Sequence, residues 1–207
     1  MPVYKLYYFN ARARAEGIRW LMSLAGVEFE DIRIDRNDWP TKKQEMPFGY
    51  VPVLEVEGQR LSESQAIARY LANKFDLAGK TDWEKALADQ YVDVIYDILP
   101  PTRAIRLAPN EEVKAQRTKN FIEVDGPRIL ANLERCLESS RSEYLVGDSL
   151  TWADVMVASY LDLYIDRITP DFGDLLDKFP KLQAHLDRIR TVPQIAAFIA
   201  KRPKTFL

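Results

Sequence analysis

Apolar and polar residues alternate near the start of the chain in a pattern that predicts short strands. The period of two places Leu6 and Tyr8 on one strand face and Lys5 and Tyr7 on the other. Further alternating runs predict strands, and apolar residues three and four apart predict helices. The predicted strands span residues 3–8, 28–34, 52–57 and 60–62, and the predicted helices span 14–25 and 64–75. The expected order is β-α-β, a connecting segment, then β-β-α.

After residue 82 the apolar spacing is helical throughout. One stripe consists of Leu87, Tyr91, Val94, Ile95 and Ile98. Residues 152–165 are apolar on nearly every side, which predicts a central buried helix, and Thr151 with Asp154 forms a capping-box signature before it. We therefore predict an α/β plus all-α fold. It consists of a small α/β domain at 1–75, a linker at 76–82 and an all-helical domain at 83–207.

Composition and charge exclude several classes of function. The chain has 207 residues and a net charge of −2, with no basic stripe, so nucleic acid is not an expected partner. No apolar run approaches the roughly 18–20 residues that span a bilayer, and no signal-peptide pattern is present. We expect a cytoplasmic protein without a membrane partner. The single cysteine, Cys136, and single histidine, His185, give little material for a disulfide, a metal site or a catalytic triad.

Tyr8 is the first candidate for chemistry. It stands at the carboxyl end of the first predicted strand, beside the start of a helix. Helix N-termini carry partial positive charge and unpaired N–H groups, so a phenol there can donate a hydrogen bond to a bound anion. A strand-end aromatic whose hydroxyl meets water is the alternative that these residues leave open.

Motifs along the whole chain add to this pattern. They are Tyr-Phe-Asn-x-Arg-x-Arg-Ala-Glu at 8–16, Asp-Trp-Pro at 38–40, Pro-Phe-Gly-Tyr-Val-Pro-Val-Leu-Glu at 47–55, Glu-Ser-Gln-Ala-Ile-Ala-Arg-Tyr-Leu at 63–71, Thr-Trp-Ala-Asp at 151–154 and Lys-Arg-Pro at 201–203. In this order and spacing, the chain resembles the cytosolic glutathione transferases, and within them the sigma class. The resemblance implies a thioredoxin-like N-terminal domain, a helical-bundle C-terminal domain, glutathione as co-substrate, no metal, and a homodimer.

The resemblance also implies roles for particular residues. Tyr8 would donate its hydroxyl hydrogen to the glutathione sulfur, with Arg14 as the supporting catalytic residue, although a surface salt bridge by Arg14 is the simpler alternative. The residues implied in glutathione binding are Tyr8, Trp39, Lys43, Tyr50, Val51, Pro52, Glu63, Ser64 and Asp97.

Each part of glutathione has an implied partner. Val51 before a cis Pro52 would pair with the cysteinyl part, Ser64 with the γ-glutamyl carboxylate, and Glu63 with the ammonium group. Trp39 and Lys43 would hold the glycine end, and Asp97 would reach the ammonium group of the other subunit. On the residues alone, a trans proline, plain capping by Ser64 and a solvated Lys43 are the simpler interpretations.

The second substrate is expected between Tyr8 and the helical domain. Its candidate contacts are Phe9, Leu99, Arg103, Met156, Tyr160 and Leu207. Met156 and Tyr160 lie one helical turn apart and can line the same wall of a pocket. Both could equally belong to the buried core. Related prostaglandin synthases carry a tryptophan where this chain has Ala104, and a tyrosine and a cysteine where it has Met156 and Tyr160.

The expected function is stabilisation of the glutathione thiolate for conjugation to hydrophobic electrophiles, with hydroperoxide reduction as a related activity. A glutathione-dependent prostaglandin D isomerase and a non-catalytic ligand-binding or structural relative are the alternatives. Asp93 and Asp97 raise the further alternative of a divalent cation, although Tyr96 replaces one of the carboxylates that such a site would use.

Overall fold

The computed structural model describes residues 3–167 and 175–205 of the chain. These residues form two compact units. The first unit contains the residues up to Ala78 together with those from Arg190 onward, and the second unit is Gly79–Ile189.

The first unit is built on a four-stranded sheet in the order β2-β1-β3-β4. Its strands are β1 (Tyr4–Phe9), β2 (Phe29–Ile34), β3 (Val53–Val56) and β4 (Gln59–Ser62). Strand β1 is parallel to β2 and antiparallel to β3, and β3 and β4 form an antiparallel hairpin. The hairpin turn uses Glu57 and Gly58, both at positive φ, as two-residue hairpins commonly require.

Helices complete the first unit, and the short one at Trp39–Lys42 lies where the sequence predicted only a connecting segment. They are α1 (Ala13–Leu24), α2 (Trp39–Lys42), which continues into a short 3-10 turn at Lys43–Glu45, and α3 (Ser64–Lys74). Leu6 and Tyr8 of β1 are buried on the same sheet face as Tyr4, as the period of two predicted. The predicted thioredoxin-like arrangement of the N-terminal part is confirmed.

The second unit consists of helices. They are α4 (Asp82–Tyr96), α5 (Leu99–Arg106), α6 (Glu111–Asn120), α7 (Gly126–Ser139), α8 (Trp152–Arg167) and α9 (Pro180–Thr191), the last two residues of α9 being grouped with the first unit. A π-helical segment, Phe121–Asp125, joins α6 to α7. Every side chain of α8 from Trp152 to Tyr164 is buried, so α8 is the predicted central helix, and α4 packs against both α7 and α8.

The last helix, α10 (Pro193–Lys201), packs against α1. For this reason the contacts group it with the first unit, whereas the sequence pattern placed it with the preceding helices. The domain limits of 1–75, 76–82 and 83–207 stay a prediction. In the structure, the chain passes from the first compact unit to the second between Ala78 and Gly79, and it returns to the first unit at Arg190.

Candidate active site

The sheet register brings three of the predicted glutathione residues, Tyr8, Pro52 and Glu63, to one edge of the sheet. Tyr7 of β1 pairs with Val53 of β3, and Val53 pairs with Ser62 of β4. Because each pairing continues along the chain, Tyr8, Pro52 and Glu63 follow at the same edge of the sheet. This edge is the carboxyl end of β1, where the start of α3 also lies.

Tyr8 is buried at this edge, with 7% of its surface exposed. Its ring lies 5.8 Å from that of Phe9, and the guanidinium carbon of Arg19 lies 6.0 Å from its ring centre. The turn to α1 is tight, since the Ala11 amide donates to the Phe9 carbonyl at 2.7 Å and Ala13 has a φ of 33°. Such backbone outliers persist where the surrounding structure holds them, and they cluster at active sites.

Val51 and Pro52 are joined by a cis peptide bond, as the resemblance implied. Both residues are buried. None of the backbone–backbone hydrogen bonds found in the described ranges uses the amide or the carbonyl of Val51. An extended peptide placed beside this segment can therefore pair with it as an added strand does.

The start of α3 is the second polar feature of the edge. Glu63 is the N-cap residue, has a φ of 74°, and makes no side-chain cap hydrogen bond. Ser64 is the first helical residue rather than the N-cap, and only 2% of its surface is exposed. A helix N-terminus favours a carboxylate through its N–H groups and its dipole.

A hydrogen bond between Tyr50 and Glu63 connects the loop before β3 to the start of α3. The Tyr50 hydroxyl donates to Glu63 Oε1 at 2.6 Å. This hydrogen bond to the Glu63 carboxylate raises the pKa of Tyr50 above its ordinary value of 10.0. The pair fixes the direction of the Glu63 carboxylate.

Trp39 and Lys43 lie on α2 and the 3-10 turn that follows it. The Trp39 ring meets Phe9 edge-on at 4.9 Å, which ties α2 to the end of β1. Lys43 is exposed, and its side-chain stem passes close to Gly49, where a Cβ atom would stand 3.3 Å from Lys43 Cε. Gly49 also has a φ of +69°, so glycine at this position serves both the turn and the placement of Lys43.

Arg14, the predicted supporting residue, is exposed in the first turn of α1. Across the described ranges it makes no hydrogen bond or ion pair with the chain itself. The buried charged residues at this helix are instead Arg12, Glu16 and Arg19, which are 4%, 1% and 0% exposed. Sequence reasoning missed the pairing of Glu16 with Arg19. The available signal was two opposite charges three residues apart in a predicted helix.

The second unit carries the remaining predicted residues. Met156 and Tyr160 on α8 are 0% and 2% exposed, and Tyr160 packs edge-on against Tyr96 at 5.1 Å. Leu99 is half-buried and Arg103 exposed on α5. Leu207 lies outside the described residues.

Asp97 ends α4 on an exposed face shared with Asp89 and Asp93. These aspartates line a shallow surface pocket, and Asp97 Oδ2 lies 3.9 Å from Arg128 Nη1. No group of three or more histidine, cysteine, aspartate or glutamate side chains suited to hold a metal ion occurs in residues 3–167 and 175–205. Within the same ranges, none of the helices has the length and apolarity needed to span a membrane.

A thioredoxin-like unit followed by helices, with polar groups gathered at the end of β1, defines the class of glutathione-binding enzymes. Comparison with known proteins agrees with this class. The N-terminal domain of glutathione S-transferases matches residues 4–73, and the C-terminal domain matches residues 96–202. The chain therefore belongs to the glutathione S-transferase family.

Individual relatives match over nearly the full length. The chain is 43% identical to hematopoietic prostaglandin D synthase of Gallus gallus over 209 residues and 41% identical to glutathione S-transferase 1 of Ascaris suum over 210, with 99% of each chain covered in both cases. A crystal structure described as monomeric Na-GST-3, a glutathione S-transferase from Necator americanus, superposes with a TM-score of 0.89 at 38% identity, again covering 99% of both chains.

Family membership confirms the prediction of a glutathione S-transferase enzyme with glutathione as co-substrate. The prostaglandin isomerase alternative is not favoured. The roles of individual site residues stay predictions.

Proposed function

We propose that Tyr8 stabilises the glutathione thiolate for attack on hydrophobic electrophiles. The observation that carries this proposal is the position of Tyr8, buried at the carboxyl end of β1 where the register also brings Pro52 and Glu63. A free thiol has a pKa of about 8.5, so only a small fraction is thiolate at neutral pH. A phenol keeps its proton near neutral pH and can donate it in a hydrogen bond to sulfur. Each tenfold gain in thiolate is worth about 1.4 kcal/mol.

The rest of the edge fits the other parts of glutathione. The backbone of Val51 pairs with the cysteinyl part, and the start of α3 at Ser64 receives the γ-glutamyl carboxylate. Glu63, oriented by Tyr50, faces the γ-glutamyl ammonium group. Each contact joins groups of complementary charge or hydrogen-bonding capacity.

The glycine end of glutathione lies toward α2. Lys43 supplies the positive charge for its carboxylate, and Trp39 supplies an indole N–H donor. Arg14, which is exposed in the first turn of α1, supports the anionic sulfur electrostatically.

Steady-state kinetics test the role of Tyr8. We compare wild type with Tyr8→Phe in glutathione conjugation to a chloronitrobenzene, and measure glutathione affinity alongside. We expect kcat/KM to fall by roughly tenfold or more while affinity is kept, because the lost hydrogen bond acts on the sulfur. Equal kcat/KM in the two proteins would refute the role of Tyr8.

The assembly and the location are further parts of the proposal. We propose a homodimer, in which Asp97 serves the glutathione ammonium group of the other subunit, as the resemblance implies. The Necator americanus relative is described as monomeric, so the state must be measured directly. Sedimentation equilibrium gives twice the chain mass if the dimer forms, and the chain mass of 23.9 kDa if it does not.

We also propose a cytoplasmic location, since the reaction consumes reduced glutathione and the cytosol keeps thiols reduced. Cell fractionation tests it, and recovery of the protein outside the cytosolic fraction would contradict it.

The second substrate is proposed to meet side chains of the helical unit, including Leu99 and Arg103.

A further inference from the structure

A fully buried arginine on α1 joins the segments around the end of β1. The Arg19 Nε donates to Asp31 Oδ1 on β2 at 3.0 Å. Its Nη1 donates to the Ala11 carbonyl at 2.7 Å and to Glu16 Oε2 at 3.4 Å. Ala11 lies in the turn that follows Tyr8, so this one guanidinium fixes β2, the turn and the first part of α1 together.

The same guanidinium lies beside the Tyr8 ring. Its central carbon is 6.0 Å from the ring centre, and Arg19 is 0% and Tyr8 7% exposed. A cation at about 6 Å attracts the electrons of an aromatic ring, more strongly where water is excluded. Arg12, buried at the N-cap of α1, adds another positive charge at this end of the helix.

Around Arg19, the positively charged side chains outnumber the carboxylates of Glu16 and Asp31. Glu16 also accepts from Arg202 Nη1 at 2.8 Å, and Asp31 also lies 2.7 Å from Arg33 Nη2. Each carboxylate thus has an arginine other than Arg19. The Nη2 atom of Arg19 is buried and has no hydrogen-bond partner among the residues that the structure describes. The need to neutralise Glu16 and Asp31 therefore does not explain why an arginine is buried at position 19.

We propose that Arg19 is a positioning residue for Tyr8. It holds the turn after β1 through the Ala11 carbonyl, and its charge stabilises negative charge that builds up on the phenol as Tyr8 donates its hydrogen bond. The phenol is consequently a stronger donor to the thiolate. This inference rests on the proposed role of Tyr8.

A double-mutant cycle tests the coupling. Wild type, Arg19→Lys, Tyr8→Phe and the double variant are compared in kcat, in KM for glutathione and in the pH profile of kcat/KM. Lysine keeps a positive charge but loses the fork that joins Ala11, Glu16 and Asp31, so the charge is no longer held beside the Tyr8 ring and the turn loses its support. We expect about a tenfold loss of kcat/KM in Arg19→Lys, with KM within about twofold and the rising limb of the profile moved to higher pH.

The same substitution should have little further effect in the Tyr8→Phe protein, because its effect passes through the phenol. A loss of equal size with and without the Tyr8 hydroxyl would overturn the proposal, as would wild-type kinetics in Arg19→Lys. Arg202→Lys is the matched control, since Arg202 shares the Glu16 carboxylate with Arg19. We expect it to lower the melting temperature and leave the pH profile in place.

A measurement without glutathione keeps this test separate from the proposed function. Nuclear magnetic resonance of ring-labelled tyrosine locates the Tyr8 signal by its absence in Tyr8→Phe. Arg19→Lys, or Arg19→Met if the lysine variant does not fold, should move that signal more than any other tyrosine signal. An unmoved Tyr8 signal refutes the contact. Equal activity of wild type and Tyr8→Phe instead refutes the proposed function while this experiment still decides on Arg19.

Discussion

The starts of α4 and α9 in the second unit are completed by side chains of the chain itself, whereas the start of α3 in the first unit is not. In the second unit, Thr81 and Glu84 cap α4 reciprocally, Thr81 Oγ1 accepting from the Glu84 amide at 3.1 Å and Glu84 Oε2 from the Thr81 amide at 3.3 Å. Glu134 of α7 accepts the Lys181 and Leu182 amides at the start of α9, at 2.9 and 2.8 Å. In the first unit, α3 begins without a side-chain cap.

The difference separates stability from binding. The first N–H groups of a helix have no partner within the helix, so some other group must satisfy them. Where the chain supplies a carboxylate, as Glu134 does, the helix end contributes to folding. At α3, with Glu63 in a strained conformation and turned to Tyr50, the proposed partner is the carboxylate of glutathione.

Removing the Glu134 carboxylate should produce the largest effect on stability. Glu134 is 7% exposed, and Glu134→Ala leaves two amides at the start of α9 without their acceptor. We expect a loss of about 2–3 kcal/mol in the free energy of unfolding, measured by urea titration. Glu138→Ala, one turn further along α7 and exposed, is the control and should change it little. A similar loss in both variants would show that Glu134 has no special role as a cap.

Ser64→Ala tests the other side of the comparison. Since the start of α3 is proposed to serve the ligand, we expect glutathione affinity to fall by about tenfold, or about 1.4 kcal/mol, with a smaller change in unfolding free energy. Titration calorimetry and thermal melting measure the two quantities. Ser139→Ala, at the end of α7, should leave the affinity unchanged. Loss of stability without loss of affinity would assign Ser64 to folding alone.

The smallest expected effect is a pH dependence of stability in the second unit. Burial lowers the pKa of His185 below its ordinary value of 6.5, against the opposing attraction of Asp154 at 3.7 Å. In the unfolded chain, the His185 imidazole therefore takes up a proton near its ordinary pKa. In the folded chain, the imidazole stays neutral to lower pH. Unfolding free energy should fall as pH drops from about 7 to about 5.5.

His185 is the single histidine of the chain, so His185→Gln should remove most of this slope. Urea titrations at both pH values measure it in each protein. An unchanged slope in the variant would assign the effect to carboxylates.

The features at the carboxyl end of β1 could be predicted from the sequence because each depends on residues close together in the chain. The period of two in β1 placed Tyr8 on the same strand face as Leu6, and a Pro-Phe-Gly-Tyr-Val-Pro run marked the turn at Val51 and Pro52. The boundaries of the four predicted strands and of the two helices predicted within residues 1–75 fell within two residues of the observed ones, since turn residues mark each of them. The short helix α2 was not predicted.

Long-range packing was harder to predict. The predicted stripe included Ile95 and Ile98, which are fully buried as expected. Its other members, Leu87, Tyr91 and Val94, are only half-buried, whereas Ala88 and Val92 are fully buried. A helix that packs against two others can bury small residues such as Ala88 on the packed face. The spacing of apolar residues alone does not show which face of the helix is buried. The placement of α10 on α1 depends on contacts nearly the whole chain apart, which no local pattern encodes.

The ultraviolet absorbance of the thiolate in the glutathione complex tests the central claim most directly. It is titrated against pH for wild type and Tyr8→Phe under saturating glutathione, so that binding and turnover do not enter. Tyr8 as the thiolate donor predicts that the bound thiol ionises at lower pH in wild type than in Tyr8→Phe, by about one unit or more. Identical titration curves for the two proteins would contradict it.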